Sequence, residues 1–286
     1  MTVRDNSARF QAPVPDVPPS DTTEESIQTP PASDGLQFVV PTELVDLPTK
    51  GLFYPQGHPL HGKEEVEIKL MTAKEEDILV NKSLLKKGIA LDRMLQSLIV
   101  TPGVHLEDLC VGDKNALIVA SRISAYGADY KASITCPVCS VAQDFTFNLE
   151  EGNLITPADL EFKEATQTER GTFAFTLPKT QAVVETRLLT GRDEKRLVQN
   201  SKKNKNEFTL TDQFKTFIVA VNGVTDKNLV AQFIDIMPAF DSKYLRSNYA
   251  KMVPNIDLTQ FFECSSCDHA QDMEVPFTVE FFWPRS

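Results

Sequence analysis

Two Cys-x-x-Cys pairs set the tightest limits on this chain. Cys136-Pro137-Val138-Cys139 and Cys264-Ser265-Ser266-Cys267 each lie between two runs that alternate as β-strands do. Each is followed by the same three residue types, Ala142-Gln143-Asp144 and Ala270-Gln271-Asp272. A CxxC turn lets both sulfurs of a pair face one metal, and two pairs close a tetrahedron. Cys136, Cys139, Cys264 and Cys267 are therefore the candidate ligands of one shared zinc site. Four thiolates leave no open coordination position, so this zinc would hold structure and not activate water. His269, two residues after Cys267, is a weaker candidate to replace one thiol. Two other readings of the pairs are a thioredoxin-like redox couple and a disulfide. The first wants a cysteine at a helix N-terminus, whereas strand-like residues flank both pairs. The second suits a reducing compartment poorly.

Composition narrows the class of protein. The 286 residues suffice for one large or two modest domains. A net charge of -11 argues against a general nucleic-acid binder, which needs a basic surface for phosphates. The N-terminus has no basic region followed by an apolar core. No apolar run approaches the ~20 residues of a membrane helix. These features predict a soluble protein of a reducing cytoplasm, where paired cysteines favour metal.

Along the chain, residues 1–36 read as a disordered leader, with Pro13, Pro15, Pro18, Pro19, Pro30 and Pro31 among polar residues. Val66 to Leu70 alternates as a strand. Thr72 with Glu75 forms a capping box that opens a helix ending at Gly88. Leu91, Met94, Leu95, Leu98 and Ile99 make one apolar helical stripe. Asp113 caps a third helix that runs to Tyr126, with Gly127 in the left-handed exit position. In the second half, 172–177 and 182–189 read as paired strands, and Thr190 to Asp193 repeats the cap. Phe214, Phe217, Ile218 and Val221 have helical spacing. Asp226 to Ile236 reads as an additional helix, and Asp241 opens another that exits at Asn255. The apolar end, Phe281-Phe282-Trp283, reads as a final strand folding back on the core.

The spacings suggest duplication. Cys136 and Cys264 are 128 positions apart, as are Cys139 and Cys267, Asp113 and Asp241, and Leu117 and Leu245. Thr72 and Thr190 are 118 apart and Ile99 and Ile218 are 119 apart, so one insertion near 226–236 absorbs the difference. The predicted fold is α+β, with two related halves at residues 37–152 and 153–286 after the leader. Each half carries a β-hairpin, about three helices and a terminal zinc-ribbon-like CxxC hairpin.

Catalytic signatures are missing from the sequence: there is no P-loop, no GxGxxG after a strand, no GxSxG and no HExxH. His58 and His61 read as turn residues, Cys110 as a core thiol, and Lys202-Lys203-Asn204-Lys205 as a solvated basic loop. The chain reads as non-enzymatic.

Three stretches carry a family likeness: Leu47-Pro48-Thr49-Lys50-Gly51-Leu52-Phe53-Tyr54-Pro55, Met71-Thr72-Ala73-Lys74-Glu75-Glu76, and Gly112-Asp113-Lys114 through Tyr126-Gly127 into Cys136-Pro137-Val138-Cys139. Together they resemble the baseplate hub or central-spike assembly proteins of T4-like tailed bacteriophages. That resemblance implies a virion-assembly protein with other baseplate or tail proteins as partners. It would work in the host bacterial cytoplasm and in the tail baseplate. It offers no catalytic residues. The alternatives are a zinc-ribbon adaptor in nucleic-acid transactions and a CxxC thiol redox protein.

Overall fold

In the computed structural model, the alternating residues around Val45 and Val66 form the first hairpin of the chain. The structure describes residues 39–160, 165–168, 170–203, 209–276 and 279–282, with only the backbone described for 198–203 and 279–280. The leader, Trp283, Asn204 and Lys205 lie outside the described residues. Strand β1 (Thr42–Asp46) pairs antiparallel with β2 (Glu65–Lys69), Val45 opposite Val66. The period of two turns Val45, Val66 and Ile68 into the core.

The stretch from 72 to 88 departs from the expected single helix. Helix α1 (Ala73–Val80) stops at Asn81, which is extended and caps α2 (Lys82–Lys87) by accepting from the backbone N–H groups of Ser83 and Leu84. An asparagine competes well for such donors, so a second N-cap replaces helix interior. Gly88 ends α2 in the left-handed conformation, φ 68°. Helix α3 (Ala90–Leu98) buries Met94, Leu95 and Leu98, the expected stripe. Ile99 lies just past its end and bridges to Ile68 of β2.

Helix α4 (Val111–Tyr126) is buried almost all round, from Gly112 through Ala116, Leu117 and Val119 to Arg122, and is the axis of the core. It starts at Val111, two residues before Asp113, with Cys110 as its N-cap. A side chain at Gly112 is impossible, because its Cβ would sit 2.1 Å from the carbonyl oxygen of Pro254. Gly127 has φ 84° but ψ 170°, so the chain leaves the helix extended and not in the left-handed helical region. Arg122 is buried and donates to three carbonyls: Phe281 at 2.7 Å, Gly127 at 2.8 Å and Asp129 at 3.1 Å.

Strands β3 (Asp129–Thr135) and β4 (Ala142–Asn148) form the first CxxC hairpin, and β5 (Asn153–Ile155) follows. A four-stranded sheet comes next, in the order β6 (Ala165–Gln167), β7 (Phe173–Thr176), β8 (Val183–Thr186), β9 (Ile218–Val221). Helices α5 (Gly191–Lys203) and α6 (Leu210–Phe217) separate its last two strands. Ile218 and Val221 therefore leave the expected helix for a strand. The run Ile-Val-Ala-Val pairs with β8, where β-branched side chains fit the pleat. Helix α7 (Lys227–Ile236) has Asp226 as its N-cap, and α8 (Ala239–Lys251) leads into β10 (Asn255–Asp257). Asn255 is thus a strand residue, paired with Ile155 of β5, and not a left-handed exit. Strands β11 (Thr259–Glu263) and β12 (Ala270–Glu274) make the second CxxC hairpin. The end is a short 3-10 turn, Val279–Phe282, in place of the expected strand. Phe281 and Phe282 are buried, and Phe281 lies edge-on to Tyr130 at 5.0 Å.

One construction occurs twice. In the first case the Thr72 N–H donates to Glu75 Oε2 at 3.1 Å, and Lys69 Nζ donates to Glu75 Oε1 at 2.8 Å. In the second the Thr190 N–H donates to Asp193 at 3.0 Å, and Arg187 grips Asp193 with two bonds of 2.6 and 2.8 Å. Asp113 and Asp241, by contrast, do not cap their helices, whose N-caps are Cys110 and Pro238. Each is the third residue of its helix, and its buried carboxylate binds the turn of the hairpin before it. Asp113 takes the Thr49 N–H at 2.9 Å. Asp241 takes the Lys179 and Thr180 N–H groups at 2.8 and 2.9 Å. Between the two constructions, Val111 N–H donates to Leu189 O and Gly191 N–H to Leu109 O, both at 2.9 Å. Lys114 ties α4 to Glu194 at 2.8 Å and to Asp92 at 3.0 Å.

Glu75 gives the fold a testable acid sensitivity. Burial pushes its carboxyl up, but the Lys69 ammonium and the Thr72 hydroxyl and N–H outweigh burial and bring it from 4.5 down to about 2. The unfolded chain then takes up a proton before the folded one. The stabilisation is present above 4.5 and is lost as pH falls toward 2. After solvent screening of the partly exposed Lys69, about 1–2 kcal/mol is at stake. Chemical denaturation across that range should show Glu75→Gln less stable than the parent at neutral pH and less sensitive to acid. Equal pH slopes for the two proteins would rule the assignment out.

Candidate metal centre

The strand pleat delivers the first cysteine of each pair. In β3, Tyr130, Ala132 and Ile134 are buried and alternate with exposed residues, and Cys136 continues the buried face. In β11, Phe262 is buried and Cys264 follows it with the same parity. The second cysteine of each pair arrives by a turn of the same design. Cys136 N–H donates to Val141 O at 2.9 Å and Ser140 N–H to Cys136 O at 2.9 Å. In the other hairpin, Cys264 N–H donates to His269 O at 2.8 Å and Asp268 N–H to Cys264 O at 3.0 Å. Each turn closes on a left-handed residue, Ser140 at φ 58° and Asp268 at φ 53°. Both side chains are short and polar, and aspartate is among the residues that tolerate this region best.

The four sulfurs meet. All lie within 4.8 Å of one another. The closest approaches cross between hairpins: Cys136 Sγ to Cys267 Sγ at 3.8 Å, and Cys139 Sγ to Cys264 Sγ at 3.7 Å. A tetrahedron with metal–sulfur bonds of about 2.3 Å has edges of about 3.8 Å, so the spacing suits a four-thiolate zinc. It is far from the ~2.05 Å of a disulfide, and all four cysteines are free. Strands follow both turns, so neither pair has the helix N-terminus that activates a redox cysteine. Cys136 and Cys264 are buried, Cys139 is half-buried and Cys267 is exposed.

The thiols perturb each other. The backbone N–H of Cys139 leads in lowering Cys136, against desolvation, to about 6. Cys267 moves the other way. Although the His269 backbone N–H pulls it down, desolvation and the three neighbouring sulfurs push it up to about 12. Holding all four as thiolates in this space would take a cation to balance them. A divalent metal supplies that charge without displacing any residue.

Two glutamines that sequence reasoning missed fasten the hairpins beneath the sulfurs. Gln143 Oε1 accepts from the backbone N–H and hydroxyl of Ser265, both at 2.9 Å, while its amide donates to Glu263 O at 3.1 Å. Gln260 Oε1 accepts from Asn148 N–H at 3.0 Å, and its amide donates to Asn148 O at 2.6 Å. Phe145 packs edge-on to Phe262 at 5.5 Å. The repeated Ala-Gln-Asp word was the available signal for Gln143. Its counterpart Gln271 is used differently, as a neighbour of His269 Nε2 at 3.2 Å.

The other candidate residues lie elsewhere. His269 stands outside the sulfur cluster. His58 stacks on Tyr54 at 4.5 Å and accepts from Leu60 N–H, and His61 Nδ1 is 2.7 Å from Tyr54 O, so both serve the turn. Cys110 is buried, and burial pushes its thiol up, out of the reactive range. No helix among the described residues is long and apolar enough to cross a membrane.

The family model for the T4 bacteriophage base plate protein matches residues 56–283. No curated protein and no solved structure matches the chain. The match takes in most of the sequence, both hairpins and all four cysteines. The chain belongs to the T4 bacteriophage base plate protein family.

Proposed function

We propose that this member of the T4 base plate protein family is a non-enzymatic assembly protein of the baseplate hub, held in shape by one structural zinc on Cys136, Cys139, Cys264 and Cys267. The observation that carries the zinc is the crossed sulfur spacing, 3.8 and 3.7 Å between hairpins, inside a family match over residues 56–283. In this reading the chain is two copies of one unit, 37–152 and 153–286, sharing a core. The paired carboxylate motifs at Glu75 and Asp193, and at Asp113 and Asp241, support it. The zinc fastens the far ends of the two copies, adding to the Gln143, Gln260 and Phe145–Phe262 contacts between them. The resulting rigid block presents surfaces to other baseplate and tail proteins in the host cytoplasm and then in the virion tail.

Deleting the gene from its phage tests the role. The expected result is heads without completed tails in electron micrographs of lysates, restored by the gene supplied in trans. Intact tails from the deletion phage would end the proposal.

A further inference from the structure

Helix α7 has no counterpart in the first construction, and it builds something the first construction lacks. With α5, α6 and β9 it walls a cleft of about 600 Å³. The cleft is lined by Arg187, Arg196, Lys215 and Lys227 against a single acid, Asp193. In a chain of net charge -11 this is a local inversion of sign.

The four cations are not equivalent. Arg187 is spent on Asp193 and on the Thr216 carbonyl at 2.9 Å, so it forms part of the floor. Lys215 is shared with Asp235 of α7 at 2.8 Å, an exposed pair that water screens. Arg196 and Lys227 are exposed and have no acidic partner among the described residues. Below them the walls turn apolar, with Ile218 of β9 and Val230 of α7. The opening thus attracts carboxylates and the interior accepts aliphatic side chains. The same helix leaves Leu229 and Ile236 uncovered, at 54% and 79% exposure.

We propose that this cleft docks an acidic, partly apolar peptide segment of another baseplate protein. Charge complementarity selects the occupant. The surrounding negative charge repels a long polyphosphate, whereas a short segment brings only the few carboxylates that the opening can meet. The proposal rests on the assembly role above.

The test is Arg196→Glu/Lys227→Glu in the full chain, supplied in trans to the deletion phage. Infectious titre should fall about 100-fold while zinc content and melting temperature stay at parental values. Lys86→Glu/Lys87→Glu, on exposed α2, should complement fully. In solution, a labelled peptide alternating Glu and Leu should bind the parent and bind the reversed variant at least about tenfold more weakly, by fluorescence anisotropy. The milder Arg196→Gln/Lys227→Gln should fall between them, which keeps the test available if charge reversal unfolds the chain. Full complementation by the reversed variant overturns the cleft proposal, as does equal binding of a Gln/Leu peptide. Tighter binding of a single-stranded oligonucleotide, or a change in the chain's own oligomeric state, also overturns it. A deletion phage with intact tails is a different failure, that of the assembly role.

Discussion

Metal analysis of the purified chain is expected to give one zinc per chain, and stripping it is expected to cost on the order of 5 kcal/mol of stability. Structural zinc in finger peptides contributes about 10–16 kcal/mol, because nothing else holds those peptides. Here part of the work is done by the hairpin ladders, the Phe145–Phe262 contact and the two bridging glutamines. The loss should therefore be smaller, and it should be local. Protease cleavage should appear first in the two CxxC hairpins, before α4 opens. Single variants Cys136→Ser and Cys264→Ser should each abolish metal binding, although the two residues sit on different hairpins. The double variant should be no worse than either alone, since both break one site and their effects do not add. Two zincs per chain, or a Cys264→Ser protein that keeps its metal, would contradict a shared centre.

What the sequence revealed and what it hid divide along contact range. The CxxC turns were legible because ligand spacing is local and the two pairs recur at one offset. The Thr72–Glu75 cap and the α3 stripe were legible for the same reason: every residue involved lies within three turns of helix. The errors arose where a local pattern competed with a distant partner or with another local one. Ile218 and Val221 satisfy helical spacing equally well, and pairing with β8, more than thirty residues upstream, decides for strand. Asn81 looked like helix interior until its side chain took the next helix's donors. Phe281 and Phe282 were apolar enough for a strand, but Arg122 captures the Phe281 carbonyl and bends the segment into a turn. Asp113 and Asp241 were found as a pair at the correct offset and assigned to capping, the nearest role available. Their partners lie 59 to 64 residues away, so no local reading identifies them.

Replacing Asp113 by alanine should be among the most damaging single changes in the chain, at about 3–5 kcal/mol. Its carboxylate accepts from Thr49 N–H at 2.9 Å and from the hydroxyls of Thr49 and Tyr54, both at 2.6 Å. The Tyr54 oxygen in turn accepts from Cys110 N–H at 3.1 Å, which ties the turn to the start of α4. Alanine leaves the Thr49 N–H and the Thr49 and Tyr54 hydroxyls short of an acceptor. Asparagine keeps one acceptor oxygen, and both hydroxyls can rotate, so Asp113→Asn should cost only about 1–2 kcal/mol. The equivalent Asp241 allows a test of sign. Burial dominates at Asp113 and raises its carboxyl despite the three donors, which are all neutral groups of Thr49 and Tyr54. At Asp241 burial is outweighed by the Lys179 and Thr180 amides, the Thr180 hydroxyl and the Lys179 charge, so its carboxyl is lowered. A raised carboxyl stabilises the fold as pH falls toward 3.8 and contributes nothing once pH exceeds its folded value; a lowered one is stabilising above 3.8 and loses that as acid is added. Asp113→Asn should therefore steepen the loss of stability in acid, and Asp241→Asn should flatten it. Denaturation midpoints measured from pH 7 down to 3 would separate the two. Slopes shifted in the same direction would mean that the two buried aspartates, alike in position, are not held apart by their surroundings.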